Sequence, residues 1–189
     1  MHKILLILFS VFIIAGCTNK TESEFKELVT QAETHYNNAD YMSSLEVYKK
    51  ALTIKEDVEV RKKAKDIEDE ITTIKEIVKL HSNILDISTD LKSITTDSQL
   101  VDLSEGLISN LLKIEDMETS KGLAVDQYIE TLKASTQISL LKLQAGTYSL
   151  THSTRSASKD AYTDGSELNN KIKDFMEKYP LPEGFSSFK

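Results

Sequence analysis

A chain of 189 residues with no proline before Pro180 and only six glycines has few ways to turn sharply. Sandwiches and barrels need many such turns, so the shortage argues against them and leaves long uninterrupted helices. Cysteine is nearly absent too: Cys17 is the only one, so no disulfide can close within the chain and its stability must come from burial. Positive charge is scarce and uneven. Against 30 Asp and Glu there are 23 Lys and Arg, and of these only Arg61 and Arg155 are arginines. A net charge of −7 without clustered basic residues disfavours nucleic acid and the surface of an anionic bilayer as direct ligands. The preference for lysine is a compositional bias associated with AT-rich Gram-positive bacteria.

The usual catalytic patterns are missing as well. No glycine-rich phosphate loop and no nucleophile elbow occurs. Ser-x-x-Lys appears at Ser23/Lys26, Ser139/Lys142 and Ser156/Lys159, a chance level in so lysine-rich a chain, without the partner motifs of penicillin-recognising enzymes. Asp160, Asp164 and Gly165 have the look of a calcium loop, but Tyr162 and Lys171 stand where oxygen ligands are needed. His35, His81 and His152 lie far apart without ligand-spaced neighbours, which argues against zinc; His81 reads as a partly buried core residue. An enzyme is disfavoured, and no metal or cofactor is expected.

What is present begins at the N-terminus. Met1-His2-Lys3 supplies a positive end, and Ile4 to Ile14 is apolar apart from Ser10, the length of a signal peptide core and too short to cross a bilayer. Ile14-Ala15-Gly16-Cys17 closes it with two small residues and the lone thiol. This stretch resembles the lipobox of bacterial lipoproteins. The resemblance implies cleavage between Gly16 and Cys17, a diacylglycerol on the Cys17 sulfur, and a location at the extracytoplasmic face of the cell membrane, with a Gram-positive envelope expected. Each buried methylene contributes about 0.8 kcal/mol, so two or more fatty chains would anchor the protein firmly. Loss of Lys3 with residues 1–16 would take the mature net charge from −7 to −8.

Residues 17–23 then read as the lipidated cysteine and a short polar tether, with Thr21 and Glu24 at capping-box spacing. Phe25, Leu28, Val29, Ala32 and Tyr36 recur on one helical face. Asn37-Asn38-Ala39 interrupts the series, and Asp40 can cap a second helix carrying Tyr41, Leu45, Tyr48, Ala51 and Leu52. Residues 24–56 are thus a helical hairpin. With Ala32 in the first helix, Asp40-Tyr41 at the turn and Tyr48 with Ala51-Leu52 in the second, it resembles a single tetratricopeptide repeat. It departs from that pattern at Leu28, where an aromatic is common, at Ser44, where alanine is usual, and at Glu56, where the closing proline is missing. Such repeats need about three stacked units to form a groove, and no second copy follows.

Residues 57–189 read as an antiparallel bundle. Asp57 caps a helix predicted to run unbroken from about 58 to 94, with Val60, Ala64, Ile67, Ile71, Ile74 and Val78 giving way to Ile77, Leu80, Ile84, Ile87, Leu91 and Ile94. Thr96 and Gln99 form a second capping box before a helix with Leu100, Leu103, Leu107, Leu111 and Ile114 inward. After a break at Thr119 to Gly122, Leu123, Val125, Tyr128, Ile129, Leu132, Thr136, Leu140 and Leu143 predict a fourth long helix. The periodicity fades from Ser149 to Gly165, Ser166 caps a last helix that Tyr179-Pro180 ends, and the apolar tail to Phe188 can dock back. The fold class is all-α: an N-terminal hairpin packed on a long helix that continues into a helical bundle.

Three functions fit such a chain. One is a lipid-anchored interaction module that engages an envelope or membrane protein through a surface around Tyr36, Tyr41 and Tyr48. Another is a protective lipoprotein of the immunity or phage-exclusion kind. A third is a bundle that binds a small apolar ligand. Because the broad apolar stripes can satisfy one another within one chain, a monomer is expected.

Overall fold

The computed structural model describes the backbone of residues 2–119, 124–154 and 160–188. Side chains are described from residue 20 onward within those stretches, except at positions 124 and 186. The side chains of Gly16 and Cys17, most of the break expected at Thr119 to Gly122, and the pair Ser156/Lys159 lie outside the described residues. Among the described residues the secondary structure is entirely helical: α1 (His2–Asn37), α2 (Tyr41–Ile54), α3 (Val58–Asp90), α4 (Asp97–Asp116), α5 (Ala124–Lys133), α6 (Thr136–Ser153), α7 (Ala161–Lys178) and a 3-10 turn (Phe185–Phe188). The chain divides into two compact units, residues 1–72 and 73–189, and α3 supplies residues to both.

The first unit is the hairpin α1–α2 with the start of α3. Its turn is tight: Asp40 N–H donates to the His35 carbonyl at 2.9 Å, Ala39 takes φ 57°, and the Asp40 carboxylate accepts from Ser43 N–H. Ala32 and Ala51 have no exposed surface, which lets α1 and α2 approach closely. Ser44, where the repeat pattern has alanine, is fully buried and donates its hydroxyl to the Ala32 carbonyl at 2.8 Å. This departure from the repeat pattern therefore cross-links the two helices. Phe25, Leu28, Tyr41 and Tyr48 fill the core with Val60, Ala64, Ile67 and Ile71 of α3. Asp57 caps α3 by accepting from Glu59 and Val60 N–H. One expectation fails here. Thr18 to Ser23 is not an extended tether, because α1 runs through it. No proline or glycine interrupts the chain between Cys17 and Asn37, so nothing stops the helix and the Thr21/Glu24 capping box is not used.

The second unit is the bundle. The Thr96 capping box is complete, with Gln99 N–H donating to the Thr96 hydroxyl and Thr96 N–H to the Gln99 side chain. α3 ends at Asp90, earlier than the apolar series predicts. Leu91 and Ile94 remain buried, but from a turn closed by Lys92 and Ser93 N–H bonds to Thr89 and Asp90. Close packing of that turn shows at Gly165, where a Cβ would lie 2.2 Å from Ile94 Cδ1. At the far end Phe185 is buried edge-on against Tyr128 at 6.0 Å, and the Tyr128 hydroxyl donates to the Tyr179 carbonyl, so the tail does dock.

Two further helix boundaries differ from the sequence reading. The predicted fourth helix is two, α5 and α6, separated at Ala134 and Ser135, whose side chain accepts from Gln137 N–H as the α6 cap. The last helix starts at Ala161 rather than beyond Ser166, because Asp160 caps it through Tyr162 N–H. The first difference has the larger effect, since a fresh start at Ser135 resets which face of α6 points inward. Ile138, Leu141, Ala145, Tyr148 and His152 are buried, while Thr136, Leu140 and Leu143, expected inward, are exposed.

Candidate functional site

The aromatic surface expected on the hairpin is not present as such. Tyr41 and Tyr48 are 6% and 2% exposed, and Tyr36 is half-buried. Tyr36 and Tyr41 pack edge-on with centroids 5.5 Å apart, and the Tyr36 hydroxyl donates at 2.9 Å to Glu70, which has no exposed surface. Burial, reinforced by the Glu70 carboxylate, raises the Tyr36 pKa well above that of free tyrosine; burial likewise raises Tyr41 and Tyr48. These hydroxyls stay protonated and serve the core. What the hairpin does show to solvent is an open depression of about 600 Å³ lined by His35, Ser43, Glu46, Val47, Lys49, Lys50 and Thr53.

An ionisable cluster, buried at His152 and Asp164 and open to solvent at Asp97, joins the helix ends of the second unit. The His152 ring, with no exposed surface, lies 2.5 Å from Asp97 Oδ1 through Nδ1 and 3.0 Å from Asp164 Oδ2 through Nε2. It thereby connects the start of α4, the end of α6 and the start of α7. Desolvation alone would depress its pKa, but the hydrogen bonds and charges of Asp164 and Asp97 outweigh it, so His152 titrates above its ordinary 6.5. Sequence spacing could not reveal this cluster, because its members stand 12 and 55 positions from His152. Asp160 and Asp164, which resemble calcium ligands in the sequence, are spent on the α7 cap and on His152. Among the described residues no group of His, Cys, Asp and Glu could hold a metal ion.

The most distinctive surface is the outer face of α6. Leu140, Leu143 and Leu150 are 54%, 69% and 67% exposed, and Thr147 completes a series spaced 3-4-3 along the helix. Leu140 and Leu143 line a groove of about 390 Å³ whose other wall is Lys171 and Asp174 of α7. No Asp or Glu occurs on α6, alone among the seven α-helices, and none occurs anywhere between Glu130 and Asp160. Lys142, the one lysine of α6, is held by Glu115 at 2.5 Å. In a chain of which 28% is charged, this face is apolar and neutral.

Among the described residues no helix is long and apolar enough to cross a membrane. No protein-family model matches the chain, and neither a curated protein nor a solved structure matches it.

Proposed function

We propose that this protein is a lipoprotein anchored through Cys17 to the extracytoplasmic face of the cell membrane, where its helical domain acts as a protein-interaction module. The anchor rests on the resemblance of Ile14-Ala15-Gly16-Cys17 to a lipobox. The observation that carries the module is the α6 face, where three leucines remain in water at helical spacing on a helix that itself carries no Asp or Glu. Contiguous exposed apolar surface of this kind marks protein contacts more often than it occurs by accident. The contact surface is accordingly placed on α6 rather than around Tyr41 and Tyr48.

Two measurements test the two halves. Palmitate labelling of cells making the Cys17→Ala precursor should give no labelled protein, since no other thiol can accept the lipid; continued labelling removes the anchor. A photo-crosslinking side chain at the exposed Ser139 on α6 should give adducts with protein in intact cells. Adducts with lipid or wall glycan only would remove the interaction module.

A further inference from the structure

Two carboxylates face one imidazole, and only one protonation state of that ring serves both. His152 Nδ1 lies 2.5 Å from Asp97 Oδ1, and Nε2 lies 3.0 Å from Asp164 Oδ2. A doubly protonated ring donates from both nitrogens, whereas a neutral ring has one N–H and turns a lone pair toward the other carboxylate. The two carboxylates are unequal. The Asp164 side chain is 2% exposed and that of Asp97 is 53% exposed. A carboxylate stranded in the interior is costly, while one at the surface is taken up by water as soon as it is released.

The groups around the ring leave the outcome to these three. From α4 the ring is faced by Asp97 and from α7 by Asp164, and theirs are the charges that act on it. On α7, Asp160 caps the helix and Glu167 accepts from Gln144. On α6 itself Lys142 is held by Glu115, and Tyr148, whose hydroxyl accepts from Gln144, is pushed up to about 12 by burial and keeps its proton. The turn between α3 and α4 exposes its ionisable groups, Asp90 and Lys92, to solvent. Arg155 and Lys159 lie outside the described residues.

We infer that His152 is a pH-sensitive latch on the start of α4: the doubly protonated ring ties α4 to α6 and α7, and loss of the Nδ1 proton to solvent frees Asp97 and the first turn of α4 while Nε2–H keeps α6 joined to α7. The latch is closed on the acid side and opens as pH rises through the folded value of the ring, which lies above 6.5. Further along the same pair of helices Ser149 donates to Glu105 at 3.1 Å and Lys142 pairs with Glu115 at 2.5 Å, so the opening stops after one turn. That turn reaches the surface. Gln99, which closes the capping box, also lines an open depression of about 330 Å³ with Asp90, Ser93, Ile94, Asp102 and Leu103. The protonation of a buried ring is thereby felt outside. A domain on the outer face of a membrane meets the pH of the medium directly, but the latch stands whether or not the lipoprotein reading does.

The test uses the full-length chain, labelled with nitrogen-15 and held in detergent micelles. Ring nitrogen shifts should show His152 doubly protonated at pH 5.5 and, once titrated, as the Nε2–H tautomer. An Nδ1–H tautomer, which would release α7 instead, or a ring never doubly protonated, overturns the inference. Across the same titration the Leu100 N–H, bonded to the Thr96 carbonyl, should lose hydrogen-exchange protection about ten-fold after correction for intrinsic exchange. Tyr179 N–H, at the far end of α7, should keep its protection. A fall shared equally by both is global unfolding and also overturns the latch. Asp97→Asn separates charge from structure, since position 97 is exposed and an amide can accept from the protonated ring or donate to Nδ1 of the neutral one. This variant should hold the first turn at both pH extremes and remove the pH dependence at Leu100. A variant as pH-sensitive there as wild type overturns the latch.

Discussion

The two units solve the same problem with opposite materials. In the hairpin unit the polar links between helices are mostly exposed ion pairs: Glu33–Lys63 at 2.6 Å, Lys49–Glu68 at 2.5 Å and Glu22–Lys55 at 2.9 Å, with the part-buried Tyr36–Glu70 bond and the buried Ser44–Ala32 bond as exceptions. Exposed pairs contribute little, typically under about 1 kcal/mol each, so this unit depends on Ala32, Ala51 and its aromatic core. In the bundle several links are buried or part-buried, beside exposed ones such as Gln144–Glu167. Ser88 donates to Asn169 at 2.6 Å, Asn83 to Asn110 at 3.0 Å, and His152 sits between two carboxylates. Buried polar contacts are costly when misaligned, and so they select one register of the helices that carry them. The hairpin is fixed mainly by its short turn, with the Ser44–Ala32 bond as its buried polar link. The bundle, whose helices have apolar residues on more than one face, needs that selection.

The largest expected effect tests the buried side of this contrast. Replacement of His152 by Ala leaves Asp164 buried without its histidine and should lower stability by roughly 3 kcal/mol in a urea titration followed by circular dichroism. The pH dependence has a definite sign. Since the folded pKa of His152 is raised above 6.5, its stabilisation is fully present below that pH and is lost as pH rises through the folded value. Wild-type stability should therefore fall as pH rises above the ordinary histidine value of about 6.5, and His152→Ala should flatten that fall. A variant as pH-sensitive as wild type would place the stabilising titration elsewhere.

A smaller effect is expected at Gly165. Alanine there drives a Cβ into Ile94 Cδ1. The Ile94 side chain can rotate away, so the cost should be about 1–2 kcal/mol, read as a lower urea midpoint with an unchanged slope. No loss at all would mean that the turn at Leu91 to Ile94 is less tightly packed than described. The smallest effect belongs to the hairpin. Lys63→Met breaks the pair with Glu33, whose side chains are both nearly half exposed, and should change stability by less than about 0.5 kcal/mol. A loss of more than about 1 kcal/mol would show that the surface pairs hold the hairpin after all, and the contrast between the units would collapse.

Several local signals were legible in the sequence, although the cap readings at Thr21 and Ser166 were not borne out. Asp40, Asp57 and the Thr96/Gln99 box cap helices as their spacing predicts, because a cap is settled within four residues. The face of α6 was not legible. The segment carries two interleaved series, Ile138-Leu141-Ala145-Tyr148-His152 and Leu140-Leu143-Thr147-Leu150, with the same spacing and a different direction. Periodicity cannot choose between them, and extending the α5 series across Ser135 chose the outer one. Ser135 is the signal that could have corrected this, as a strong cap residue ahead of a fresh apolar series. The hairpin tyrosines show the converse error. An aromatic at helical spacing is as suited to a core as to a surface, and Tyr41 and Tyr48 went to the core.

The passage of α1 through Thr18 to Ser23 changes what an anchor at Cys17 would do. Six extended residues would allow about 20 Å of slack and free rotation. The same six in a helix rise only about 9 Å, and each residue is turned by a fixed angle from the one before. A lipid on Cys17 would then set the azimuth of the hairpin as well as its height, because the backbone at Cys17 and that at Phe25 and Leu28 belong to one helix. An anchored copy would lose rotational entropy before it met any partner, and glycine in place of Lys20 would loosen that constraint only by weakening the helix there by about 1 kcal/mol.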